Sequence, residues 1–386
     1  MQPAWKPLAF ISVICLLSFT RPAAPTPEAP VTGPAPRIQV AILLDVSGSM
    51  EGLIEQAKLQ LWNMVSTLGK AQCTDNRTPQ VELALYEYGR SSNEAAKGYV
   101  KQLTSFTSDL DSVSKILFSL RTNGGEEYCG QVIYTSMDEL TWAPGPENYK
   151  VIFIAGNEDF LQGNLHYTKA CARAKDKGVI VNTIYCGSYE QGIAEHWNLL
   201  GECGQGNYSN INQQAKEPDI PTPYDSTLIV LNNRLNQTYI GYGAMGFANT
   251  KRQEEVDQAN FEVSTYAGVK RAEAKARGTV YTNAAWDMVD AQRADSGFIR
   301  KLDKSTLPDS LKNKTPEQLK QVVQQKDAER GIIQKQILEL SAARNNYIAE
   351  EKKKAASQNN QPTLESAVEK TLREQVKRAN MNIPNN

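Results

Sequence analysis

Histidine is nearly missing from this chain: His166 and His196 are the only two in 386 residues. They lie far apart in sequence, and neither belongs to a hydrolase or metalloprotease pattern, so the usual general base of such enzymes is lacking. No Walker loop and no Rossmann glycine fingerprint occurs, which removes the common nucleotide-binding motifs. The formal charge of −1 gives no excess of either sign and no reason to propose nucleic acid as a partner. No C-x-x-C pair exists, which argues against a zinc ribbon or a thioredoxin-type centre. The apolar run Leu8 to Phe19 is too short to span a bilayer.

That run suits a secretory signal instead. Lys6 precedes it, and Ser18-Phe19-Thr20 places small residues where a signal peptidase reads, so residues 1–20 are expected to be a signal peptide. Lipoprotein processing at Cys15 is disfavoured by Ile14 in front of it. Residues 21–36 are rich in proline and alanine and are expected to form an extended tether. The mature chain is then exported, to a periplasm or the extracellular space, with no transmembrane helix. Cys73, Cys129, Cys171, Cys186 and Cys203 remain after cleavage. An odd count in an oxidising compartment leaves one thiol free or bonded to another chain, and a bridge among Cys129, Cys171 and Cys186 is the expected staple.

The most informative stretch is Asp45-Val46-Ser47-Gly48-Ser49, placed directly after the apolar run Ile38 to Leu44. It reads as a buried strand that delivers a carboxylate and two hydroxyls to its C-terminal tip, where open α/β sheets place ligands. Oxygen donors of this kind suit Mg²⁺, Mn²⁺ or Ca²⁺. The alternative is an ordinary turn in which Asp45 or Ser49 caps the following helix.

Downstream, Leu53, Ile54, Ala57, Leu61, Met64, Val65 and Leu68 recur at helical spacing. Strands are expected at Val81 to Glu87, Val100 to Leu103 (an edge), Val151 to Ala155 and Val179 to Tyr185. Helices are expected at Leu110 to Leu120, Gln131 to Leu140 and Leu165 to Lys177. Strand and helix in alternation imply a doubly wound, mostly parallel sheet of the α/β class over residues 37–213. A unit of that size is expected to close its own core.

Residues 218–386 change character and are expected to form an all-α domain. Leu228, Leu231, Leu235 and Ile240 form a stripe, Asn249 to Arg277 reads as one charged helix, and Thr315 to Lys354 as a long one. In the long helix, Ile333, Ile337, Leu340 and Tyr347 suit a coiled-coil hairpin, although the stripe thins between Val323 and Ile332. Leu364 to Ala379 is expected to pack back as the closing helix, after a loop at Ser357 to Gln361. Oligomerisation through these helices is an open alternative.

The D-x-S-x-S run resembles the first motif of the von Willebrand factor A domain family, whose metal-ion-dependent adhesion site uses it. The resemblance extends from Arg37 to about Asn212 and implies a Rossmann-like fold, a divalent cation and a protein or cell-envelope ligand. The family completes the site with a threonine after paired glycines and an aspartate after the fourth strand, and this sequence departs from both. Gly124-Gly125 is followed by Glu126 and Glu127, with Thr122 ahead of the glycines. Gly156 stands where the aspartate is expected, leaving Asn157, Glu158 and Asp159 as substitutes. The expected metal set is therefore Asp45, Ser47, Ser49, Thr122, Glu126, Asn157 and Glu158, with Glu127 as an alternative to Glu126. A glutamate in the set would neutralise more of the ion's charge and reduce its attraction for acidic partners. His166 near Glu158 and Asp159 reads as a solvated residue in the first turn of a helix. The expected function is non-enzymatic, metal-assisted binding of protein or envelope polymer. The alternatives are a scaffold assembled by the C-terminal helices and, lacking a base beside the motif, a metal-assisted hydrolase.

Overall fold

The first strand alternates its side chains between two cores. In β1 (Arg37–Asp45), Ile38, Val40, Ile42 and Leu44 face one layer of helices, while Ala41 and Leu43 face the other. The computed structural model describes residues 33–212, 219–355 and 364–384. The expected signal peptide with Cys15, residues 21–32 of the tether, the 213–218 boundary and the 357–361 loop lie outside them.

After β1 the chain forms α1 (Glu51–Leu68), β2 (Gln72–Cys73), β3 (Gln80–Tyr88), β4 (Lys101–Thr107), α2 (Leu110–Ser119), α3 (Cys129–Glu139) and β5 (Tyr149–Gly156). It continues through α4 (Tyr167–Lys177), β6 (Ile180–Tyr185), α5 (Tyr189–Ala194), α6 (Trp197–Cys203) and β7 (Gln205–Asn210). Six strands lie in the order β4-β3-β1-β5-β6-β7, parallel except for β4 at the edge. The mostly parallel α/β sheet is thus as the strand and helix alternation implies. Strands this uniformly buried need helices on both faces. One core joins the sheet to α1 and α2, and the other joins it to α3, α4 and α6.

A disulfide links Cys171 on α4 to Cys203 on α6. The staple exists, but with Cys203 as partner, because α6 packs beside α4; Cys129 and Cys186 are buried free thiols, as is Cys73. Denatured without reductant, protein comprising residues 33–386 should titrate three thiols rather than five. Reduction should cost about 3 kcal/mol of stability, as for a typical bridge of this loop length.

The remaining elements are α7 (Asp225–Asn236), α8 (Gly246–Val263), α9 (Thr265–Ala276), α10 (Met288–Ala294), α11 (Phe298–Lys301), α12 (Asp309–Lys312), α13 (Pro316–Ala355), α14 (Leu364–Gln375) and β8 (Met381–Asn382). The single charged helix expected over Asn249 to Arg277 is two. Ser264 is fully extended and its hydroxyl accepts from Ala267 N at 3.0 Å, which starts a new helix there. The second of the pair, α9, is buried along Ala267 to Ala276 in spite of Lys270, Arg271, Glu273 and Lys275.

The long helix is present, but it does not form a hairpin with α14. It packs on α7, α9 and α10, while α14 packs on α1. Leu364, Val368, Leu372 and Val376 join the core formed by α1 and the sheet. Gln375 donates to Asn182 on β6 at 2.8 Å and accepts from Tyr149 on β5 at 3.0 Å. From Ala35 onward, sheet and helices form one compact unit.

Candidate metal site

The tip of β1 brings the motif to the carboxyl end of the sheet. Asp45 and Ser47 are buried, and Asp45 Oδ1 accepts from Ser47 N at 2.7 Å. Ser47 Oγ lies 3.3 Å from Ser49 Oγ, and Ser49 Oγ donates to Asn157 Oδ1 at 3.3 Å. The strand tip and the loop after β5 therefore share one polar cluster.

Glu127, held in the sequence reading only as an alternative to Glu126, is the glutamate that the fold brings to the motif. It is 5% exposed, and its carboxyl meets those of Asp45 and the Ser47 hydroxyl. Glu126 is exposed and Thr122 half-buried, and neither hydrogen-bonds to Asp45, Ser47 or Ser49 among the described contacts. Cys129 N donates to Glu127 O at 3.1 Å in a tight turn at the start of α3, so no strand parity in the sequence singles Glu127 out from Glu126. The loop itself is pressed onto its neighbour. A side chain at Gly125 would come within 2.4 Å of Gly89 O, and Gly124 O accepts from Ser91 N at 2.7 Å.

Gly156 occupies the aspartate's expected place for a steric reason. A Cβ there would lie 2.6 Å from Tyr88 Oη, which donates to Ala155 O at 3.0 Å. Glu158 is exposed, and its charge acts on both Asp45 and Glu127. Asp159 instead pairs with His196 Nδ1 at 3.0 Å. His166 sits at the start of α4, where its Nδ1 accepts from Thr168 N.

Electrostatically the pair Asp45 and Glu127 is costly. Burial pushes the Asp45 carboxyl up to about 6. Burial, then the Asp45 charge, pushes Glu127 up to about 9. Asp45 Oδ2 and Glu127 Oε2 are buried and make no hydrogen bond of good geometry, although the Ser47 hydroxyl and the two carboxyls adjoin. Orphaned carboxylate oxygens beside two hydroxyls and an amide oxygen fit a hard divalent cation, which supplies the charge the pair lacks. Among the described residues no cluster of three or more His, Cys, Asp or Glu could hold a metal, so such an ion would depend on the neutral oxygens of Ser47, Ser49 and Asn157.

No curated protein sequence matches the chain. Among solved structures it is similar to the SpRpn10 VWA domain, at 15% identity over 47% of this chain and 90% of that one, TM-score 0.34. The pilus adhesin SpaC from Lactobacillus rhamnosus GG matches at 13% identity over 46% and 28%, TM-score 0.34. Proximal thread matrix protein 1 from the mussel byssus, with zinc in its MIDAS motif, matches at 13% over 46% and 42%, TM-score 0.32. The chain thus spans less than half the length of the mussel protein. The family model of the von Willebrand factor type A domain matches residues 39–221. Residues 39–221 are thus a von Willebrand factor type A domain.

Proposed function

We propose that this protein is an exported, non-enzymatic binding module. Its A domain holds a divalent cation, Mg²⁺, Mn²⁺ or Ca²⁺, through Asp45, Ser47, Ser49, Glu127 and Asn157. The observation that carries this reading is the pair of buried carboxyl oxygens, Asp45 Oδ2 and Glu127 Oε2, left without a hydrogen bond of good geometry at the strand tip. Two acidic groups buried side by side, their carboxyls pushed up to about 6 and about 9 with no cation opposite them, are a feature that a folded protein retains for binding.

Two carboxylates cancel most of a divalent charge. The ion then serves as a rivet joining the β1 tip, the 124–127 loop and the 157–159 loop, with little charge left to capture an acidic partner. Protein or envelope polymer docks on the surface so fixed. Leu161 and Ile193 are 40% and 43% exposed on segments joined by the Phe160 N to Glu195 O hydrogen bond, which offers apolar contact beside the ion. Among the described residues no helix is long and apolar enough to cross a membrane. The scaffold alternative loses its main support, because the apolar positions Leu319, Val323, Ile333 and Ile337 of α13 are already buried within the chain.

Calorimetric titration of each ion into chelated protein tests the site. Asp45→Ala should abolish binding with the melt largely retained; an unchanged isotherm would refute the assignment. Glu127→Gln separates a ligand from a bystander. With its carboxyl pushed up to about 9, Glu127 is already neutral at pH 7 in the chelated protein, so the variant should change stability there by less than about 1 kcal/mol and weaken ion affinity at least about tenfold. A variant that binds the ion as tightly as the parent would exclude Glu127 from the set.

A further inference from the structure

The end of the sheet opposite the metal site carries a second feature that the adhesion reading does not use. A cleft of about 690 Å³ opens where β5, β6 and β7 begin and α4 ends. Lys150 lies at the start of β5 and Asn157 just past its end, so the strand's rise separates the two sites by roughly 23 Å. The volume falls in the range of small-molecule sites, roughly 300 to 1,000 Å³.

The lining combines cations with an aromatic ring. Lys150, Lys175, Lys177 and Arg378 line the cleft together with Trp142 and Pro144. Lys150 is 8% exposed and donates to Lys177 O at 2.5 Å, Lys177 donates to Met137 O, and Arg378 donates to Gln205 O at 2.6 Å. These acceptors are neutral carbonyls. Among the described ion pairs, none places a carboxylate within 4.0 Å of any of the four cations. Asp176 is the one acidic residue on the lining, and Glu147 acts on Lys150 from outside it.

Capping of helix ends accounts for part of this charge. The C-terminal ends of α3 and α4 each carry about half a negative charge, which four cations opposed by two carboxylates exceed by about one positive charge. Burial disfavours the Lys150 ammonium, so an anion beside it would repay that cost. Two further features fix the walls. The Cys171–Cys203 bridge holds α6 against α4, and Gln205, under the Arg378 guanidinium, has the left-handed φ of +57°.

We propose that this cleft binds an anionic ring compound, a phosphate or carboxylate whose acid group meets Lys150, Lys175 and Arg378 while its ring lies along Trp142 and Pro144. Charge-assisted hydrogen bonds supply orientation, and the apolar wall supplies contact area.

The full chain with its disulfide intact is titrated calorimetrically at low salt, in EDTA, with glucose 6-phosphate, galacturonate, inorganic phosphate and neutral glucose. At least one of the two acidic sugars should bind and weaken with added salt, inorganic phosphate should bind more weakly than the better of them, and glucose should give no heat. The tighter of the two sugars identifies the acid group. Arg378→Ala and Lys175→Ala, both at exposed positions, should each weaken that binding about tenfold without shifting the melt. Lys150→Met should do the same if it folds. Equal binding of glucose, inorganic phosphate as tight as either sugar, no binding of any anion, or full affinity in both exposed-site variants would overturn the proposal. Binding that requires Mg²⁺ and vanishes in EDTA would also overturn it, by placing the anion at the metal site.

Discussion

Arg271→Ala should destabilise the protein by about 3 to 5 kcal/mol, the cost of stranding buried charges by removing their partner. Arg271 is 1% exposed on α9. It donates to Asp111 on α2 at 2.7 Å and to Asp257 on α8 at 2.5 Å, with its guanidinium 4.5 Å from the Trp62 ring of α1. Lys275 donates to Asp257 at 2.7 Å and Tyr281 to Asp111 at 2.7 Å. Every charge in this group is paired across elements, so the network joins the C-terminal helices to the sheet domain.

The double variant Arg271→Met with Asp111→Leu should recover much of that loss, because both halves of the pair are then apolar. Equal destabilisation by the single and double variants would show that packing, not charge, holds α9 in place.

Acid sensitivity follows from the same contacts. Against the upward pull of burial, the charges of Lys270, Lys70 and Arg277 hold the Glu273 carboxyl at about 2. Against burial too, Lys275 and Arg271 hold Asp257 below the ordinary carboxylate range. A depressed carboxyl contributes stability above its unfolded pKa, which is lost as pH falls through its folded one. Stability should therefore decline between about pH 4.5 and 2, measured by urea melts, and less steeply in Arg271→Met. A flat profile over that window would contradict the network.

The inner strands β1, β3, β5 and β6 were legible because they are apolar and buried on both faces, whereas the polar, part-exposed edge strand β7 gave no apolar run and was not expected. The buried charges were not legible, for the opposite reason. A helix such as α9, with four charges in its buried stretch, has the composition of a solvated one, and only the tertiary partners on α2, α7 and α8 reverse that. The thin part of the α13 stripe has the same cause. Arg330 is the buried residue there, 3.9 Å from the Tyr239 ring and bonded to Asp287 and Asp290 at 2.8 and 2.9 Å. At the metal site, D-x-S-x-S was legible because its three oxygens are adjacent in sequence. Glu127 was ambiguous against Glu126 because the parity of a loop is set by the backbone it touches, here residues 89–91.

Removing residues 364–386 should leave a protein that does not fold cooperatively. The sequence change near residue 213 suggests that the α/β unit closes its own core, yet the last helix of the chain completes it. Leu364 and Val368 lie against Ile42, Leu44, Phe153 and Ile184 of the sheet, and Leu372, Val376, Met381 and Ile383 extend the same core. Each such side chain contributes roughly 1.5 to 3 kcal/mol on burial, so six together are comparable to the roughly 5 to 15 kcal/mol by which most domains are stable, even after discounting residual burial in the unfolded chain. The segment also carries Gln375, whose amide pairs with Asn182, and β8, which pairs with β2. A fragment of residues 33–363, and the shorter 33–212, should therefore show broad, non-cooperative melts and bind a dye for exposed apolar surface. If 33–363 melts within about 2 °C of the full chain, α14 is dispensable and the core closes without it.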